Sequence, residues 1–163
     1  MDARPEPVGR DAESGRDMLR VRIDDPSDAT GVLERLPRGY VALVVWDAEH
    51  ATADELEAFS NALIATNCGC VCAWGDGCEE VEDSVDWTDV MLEVDGTRPP
   101  DADGDVLLTS QHSDETFEEA LELALIIRPT SGYRGPTTVV AVLEVTQEKY
   151  DDLITRALKR CSG

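Results

Sequence analysis

The chain has no apolar run near the roughly 20 residues needed to span a bilayer. Its N-terminus has no apolar stretch of the signal-peptide kind, so a cytoplasmic protein is expected. Basic residues are scarce: 14 lysines and arginines face 35 aspartates and glutamates, a formal net charge of -21 in 163 residues. Such a surface repels phosphate backbones and anionic membranes, which argues against nucleic-acid and membrane partners. Solubility is the first meaning of that charge, and a basic protein partner remains compatible with it. The catalytic and nucleotide-binding signatures are also missing. There is no P-loop, no G-x-G-x-x-G after the first strong strand and no G-x-S-x-G elbow. No repeat of fixed period is present.

The five cysteines are Cys68, Cys70, Cys72, Cys78 and Cys161. An odd number in a reducing compartment does not make a disulfide framework. With 42% hydrophobic residues the chain has material for a core.

Residues 1–17 are polar and carry Pro5, Pro7, Gly9 and Gly15, which reads as a disordered tail. Residues 18–163 read as one α/β domain. Leu19 to Ile23 alternates like a short edge strand, and a short helix is expected over about 28–36. Residues 40–46 and 69–74 are continuously apolar, the pattern of strands buried on both faces. Between them Thr52 and Glu55 form a capping box before a helix over about 53–66. From Asp76 to Asp105 the chain has twelve carboxylates and one basic residue, Arg98, with a helix expected over about 77–92. Arg98-Pro99-Pro100 is read as a loop and 105–110 as a third strand. Asp114 and Glu115 open a helix whose stripe is Phe117, Ala120, Leu121, Ala124 and Leu125. Pro129 ends it, 131–136 is a turn-rich loop, 137–145 is a fourth strand and 147–160 a last helix that buries Tyr150. This alternation predicts a Rossmann-like or flavodoxin-like three-layer sandwich, with a mostly parallel sheet of four to five strands.

Ligands of such sheets sit outside the carboxyl ends of the strands. Those ends carry Trp46-Asp47, Cys72-Ala73-Trp74-Gly75 with Cys78 close behind, and Ser110-Gln111-His112, with His50 past the first strand. Several chemistries compete for them. Cys78 with His112 is a candidate nucleophile–base pair, since a thiol near a helix N-terminus gains thiolate character. Cys72, Cys78 and His112 are zinc-type donors, but Cys-x5-Cys is not a standard ligand spacing. Asp83, Asp86 and Asp89 share one helical face, yet nothing matches an EF-hand loop. No metal and no cofactor is therefore expected. The plainest alternative is structural: strand cysteines are small core residues, and Trp46, Trp74 and Trp87 anchor helices on the sheet.

Two stretches carry a family likeness. Ala73-Trp74-Gly75-Asp76-Gly77-Cys78 with Glu82-Asp83-Ser84-Val85-Asp86-Trp87, and Leu108-Thr109-Ser110-Gln111-His112-Ser113-Asp114-Glu115 with Glu118-Glu119-Ala120, resemble motifs of a family of small uncharacterised bacterial α/β proteins. The likeness spans roughly residues 40–145. That family has no assigned activity, so the resemblance implies no catalytic residues. It singles out Trp74, Gly75, Cys78, Asp83, Asp86, Trp87, His112 and Glu115. Its members often have an aromatic where this chain has Gln111, which weakens any role needing an aromatic wall beside His112.

The pocket expected from all this combines Asp47 with those eight residues. The leading expectation is a non-enzymatic binding or regulatory module acting through a protein partner. The alternative is a small Cys/His-dependent enzyme at the carboxyl edge, with Cys78 and His112 as its catalytic candidates.

Overall fold

A computed structural model describes residues 4–97, 107–128, 138–146 and 149–163. Its strands are β1 (Glu6–Arg10), β2 (Asp17–Ile23), β3 (Val41–Val45), β4 (Cys70–Trp74), β5 (Leu108–Gln111) and β6 (Val139–Val145). Its helices are α1 (Ala29–Leu33), α2 (Ala53–Ala65), α3 (Cys78–Asp95), α4 (Phe117–Ile126) and α5 (Asp151–Cys161). The strands form one sheet in the order β1-β2-β6-β3-β4-β5. β2, β6, β3, β4 and β5 run parallel, and β1 is antiparallel to β2.

The apolar runs lie where their composition demands. Every residue of β3 and β6 is buried, and these are central strands of the sheet. α1, α2 and α3 cover one face, over Ala42, Val44, Val71 and Leu143. α4 and α5 cover the other, over Leu43, Val45, Cys72 and Val142. α2 begins at the expected capping box, in which Thr52 Oγ1 accepts from the Glu55 N–H and Glu55 accepts from the Thr52 N–H.

Several boundaries differ from the sequence reading. Residues 6–10 are not a loose tail. They pair with β2 through a register shift between Pro7 and Gly9, and local composition carries no trace of that long-range pairing. β2 is consequently internal rather than an edge, and the sheet has six strands rather than four to five. α4 starts at Phe117 because the Thr116 side chain accepts the Glu119 N–H, so Asp114 and Glu115 lie before the helix. α5 starts at Asp151, with Tyr150 as its N-cap. α3 runs three residues past its expected end and stops at Gly96, whose φ of 69° suits a glycine cap. The readings of 98–100 and 131–136 as loops, of Pro129 as a helix stop, and of strand starts at 105 and 137 lie outside the described residues.

The charged residues of β2 are also explained by its position. Arg20 donates to both oxygens of Glu144 on β6, at 2.8 and 2.7 Å, and Glu144 is only 3% exposed. Arg20 also reaches Asp151 and Thr155 at 2.7 Å each. Hydrogen bonding to Glu144 is the main reason that the guanidinium holds its proton above its ordinary value. Removing one partner of a buried pair leaves an uncompensated charge, which costs about 3 kcal/mol or more. Urea unfolding of Arg20→Met should show that loss, and Arg20→Met combined with Glu144→Leu should recover most of it. A single-variant loss below about 1 kcal/mol would mean the pair is solvated, as exposed pairs are.

Candidate functional site

Chain connections leave the sheet on opposite faces between β2 and β6, and again at the two places that gather the expected site residues. β3 leads to α2 while its neighbour β6 leads to α5, and β4 leads to α3 while its neighbour β5 leads to α4. Such divergence opens the crevices where α/β proteins hold ligands.

At the first of these places Asp47 is a hub. Its carboxylate accepts the Asp76 N–H at 2.9 Å, the Tyr150 hydroxyl at 2.9 and 3.1 Å, and Lys149 Nζ at 3.2 Å. Burial alone would raise its pKa. The donors outweigh burial and hold it below the usual carboxylate value. The β3 and β4 ends touch here. A Cβ on Gly75 would lie 2.5 Å from the Trp46 carbonyl oxygen, and its φ of +122° also favours glycine. Trp74 stacks edge-on against Tyr150 at 4.7 Å and Phe117 at 5.5 Å, and its indole N–H donates to the Glu115 carbonyl at 2.9 Å. Aromatic rings and the Asp47 carboxylate thus tie the strand ends together here.

At the second place strand parity decides the chemistry. Cys70 and Cys72 point to the α4/α5 face. Ser110 is in register with Cys72, and the His112 N–H extends the ladder to the Ala73 carbonyl at 2.9 Å. The His112 ring bonds Ser110 Oγ through Nε2 at 2.9 Å and Glu115 Oε2 through Nδ1 at 3.0 Å. Hydrogen bonding to Cys72, then the opposed effect of burial, then Glu115, together lift the imidazole to about 9. The Cys72 thiol falls to about 5, chiefly through a hydrogen bond from Cys70, with His112 and Ser110 adding to it against burial. Both shifts run in the direction that favours a thiolate at Cys72 and a charged imidazole at His112.

Glu115, His112 and Ser110 have the connectivity of an orienter, base and nucleophile. The raised imidazole pKa works against His112 taking the serine proton at neutral pH. Cys72 itself is 0% exposed.

Cys78 meets the backbone of His112, not its ring. It opens α3 on the opposite face of the sheet, and its Sγ donates to Gln111 Oε1 at 3.8 Å. Burial raises its thiol, opposite to a helix-activated thiolate. The expected Cys78–His112 pairing is thus made through the His112 backbone, while the His112 ring bonds Ser110 and Glu115. The zinc-type set Cys72, Cys78 and His112 is likewise split across the sheet. Among the described residues no three His, Cys, Asp or Glu side chains are grouped to hold a metal ion. His50 ends a short 3₁₀ turn, exposed to solvent.

The acidic helix also divides. Asp86 accepts the Thr109 hydroxyl and Asp89 accepts the Leu107 N–H, both at 2.6 Å, so these carboxylates hold the edge strand β5. Asp83 is exposed. Trp87 does not anchor the sheet: it is 67% exposed, with Val94 at 73%, Val90 at 39% and Met91 at 37%. These four follow the i, i+3, i+4, i+7 spacing of one helical stripe. Trp87 and Met91 of this stripe also line a groove of 640 Å³ between α2 and α3, together with apolar Leu56 and Leu92 and acidic Glu57, Glu80, Asp83 and Asp95. The sequence reading missed Val90, Met91 and Val94, although their spacing was readable. It also missed Lys149 and the roles of Ser110 and Cys72, which depend on strand register.

The structure thus brings Asp47, Trp74, Gly75, His112 and Glu115 together at the carboxyl edge. Cys78 and Asp86 lie behind it on α3, and Asp83 and Trp87 face outward. These features define an α/β domain with a six-stranded, mostly parallel sheet and helices on both faces. Residues 18–161 match a domain of unknown function, DUF7684, and the chain belongs to that family. A search of the curated proteins finds no match. No helix among the described residues is long and apolar enough to cross a membrane.

The buried pair makes a pH prediction. The depressed Cys72 thiol contributes stability that is lost as pH falls through about 5. The raised imidazole contributes stability that is lost as pH rises through about 9. From the free-histidine value of 6.5 up to 9 the two slopes cancel, because folded and unfolded chains each hold one proton on the pair. Below 6.5 the unfolded pair binds a second proton, so this pair makes stability fall towards pH 5. Folded protein at pH 7 should show thiolate absorbance near 240 nm that Cys72→Ser abolishes. A wild-type spectrum without it, or one that Cys72→Ser leaves unchanged, would contradict the pair.

Proposed function

We propose that the protein is a non-enzymatic interaction module that recruits a protein partner through the outer face of α3. One observation carries the reading: Trp87, Val90, Met91 and Val94 form a solvent-exposed apolar stripe along a helix whose other side is already buried. Scattered exposed apolar residues need no explanation, but a contiguous stripe beside a groove marks an interaction site. Exposed tryptophan is the residue type most often found at the energetic centre of an interface. Burying such side chains contributes about 25 cal/mol per Å² of apolar surface, before the costs of association.

The Rossmann-like reading of the sheet fits this role. In this account the carboxyl edge serves as scaffold, its strand ends tied together by Trp74, Tyr150 and the Asp47 network. The alternative, a Cys/His-dependent enzyme at that edge, draws on the Cys72–His112 pair. Against it stand the wholly buried sulfurs of Cys72 and Cys78.

A photo-cross-linking side chain placed at Val94 in the native host should give a discrete adduct with another protein. The same group at Lys159, on the far face, should not. Equal and diffuse labelling from both positions would count against the proposal.

A further inference from the structure

The α3 face also specifies the chemistry of what binds it. Building on the interaction-module reading above, we infer that its occupant is a basic amphipathic helix of a partner protein, seated along the α2–α3 groove.

Shape supplies the first argument. The stripe from Trp87 to Val94 covers two helical turns, about 10 Å at 1.5 Å per residue. That is the contact length of a helix that docks by apolar anchors at i, i+3 or i+4, and i+7. The adjoining groove of 640 Å³ gives those anchors somewhere to enter.

Charge supplies the second and selects the occupant. α2 carries three carboxylates and α3 eight, and neither helix has a lysine or arginine. Of these, Glu57, Glu80, Asp83 and Asp95 line the groove, whereas Asp86 and Asp89 turn inward to β5. A second copy of the chain would bring another net charge of -21 to this surface, and like-charge juxtaposition is costly. Nucleic acid and anionic lipid are disfavoured for the same reason. A helix with lysine or arginine flanking its apolar stripe satisfies both the apolar and the acidic lining.

The test uses the full-length protein and four labelled peptides of about 18 residues, long enough to form helix on binding. One has a leucine stripe flanked by lysines, one the same stripe flanked by glutamates and one the same stripe flanked by glutamines. The fourth is a scramble of the first that keeps its charge but breaks its stripe. Fluorescence anisotropy should show the lysine peptide binding at least about tenfold more tightly than the other three, and weakening as salt shortens the screening length. Val94→Asp should abolish that binding, and Glu80→Lys with Asp83→Lys should reverse the preference towards the glutamate peptide.

Equal binding of the lysine, glutamine and glutamate peptides would overturn the charge assignment. Equal binding of the scramble would reduce it to bulk electrostatics and overturn it too. Sedimentation showing a dimer that Val94→Asp dissolves would overturn it in favour of a second copy. If no peptide binds while the Val94 cross-link to another protein persists, this inference fails and the interaction-module reading stands. If that cross-link is also absent, both fail.

Discussion

Two hydrogen bonds at the edge of the sheet set the orientation of the helix on which the functional account rests. Asp86 takes the Thr109 hydroxyl and Asp89 takes the Leu107 N–H, each at 2.6 Å. Asp89 is only 2% exposed, so its bond is made where an unpaired carboxylate would be costly. These contacts and the burial of Cys78, Val81 and Val85 agree on one rotation of α3 about its own axis. Cys78, Val81 and Val85 then face the core, and Trp87, Val90, Met91 and Val94 face away from it. A helix with one apolar side has nothing left to offer once it is packed. α3 has two, and the one beside the carboxylates that bond β5 is buried.

The carboxyl edge of the sheet follows a different logic. Asp47 gathers donors from the loops after β4 and β6, and Gly75 lets the β3 and β4 ends touch. Trp74 bridges from Tyr150 to the Glu115 carbonyl. Beneath it the His112 ring is held between Ser110 and Glu115, in surroundings that lower the Cys72 thiol and raise the imidazole. A buried charged pair is weak evidence of stability in itself, but it tolerates few alternative arrangements. In this reading the residues with the richest chemistry form the frame, and the surface with the plainest chemistry makes the contact.

Much of the frame was legible in the sequence, because it is written in local pattern. The apolar runs at 41–45, 70–74 and 139–145 announce buried parallel strands, and Thr52 with Glu55 announces the start of α2. β1 was not legible, since Glu-Pro-Val-Gly-Arg has no alternation and exists as a strand only through β2. β2 read as an edge because Arg20 and Arg22 look like solvent residues, whereas Arg20 answers Glu144 from 124 positions away. The candidate site was half legible. The carboxyl-edge residues do converge, but proximity in the list of strand ends favoured Cys78, while parity and the Cys72↔Ser110 register favour Cys72. The stripe on α3 was legible in spacing alone. It was overlooked because a tryptophan in a helix next to a sheet is usually core.

The three tryptophans sit in three distinct places and report on the central claim separately. Trp46 is buried against Phe59, Trp74 is hydrogen-bonded at the carboxyl edge, and Trp87 is on the outer face of α3. Nitrogen–proton correlation spectra of the indole groups, recorded while the lysine-flanked helix is titrated into the full-length protein, distinguish them directly. The account predicts that the Trp87 indole signal shifts progressively while those of Trp46 and Trp74 stay in place. A shift of Trp74 with Trp87 unmoved would move the functional surface back to the carboxyl edge and contradict the account.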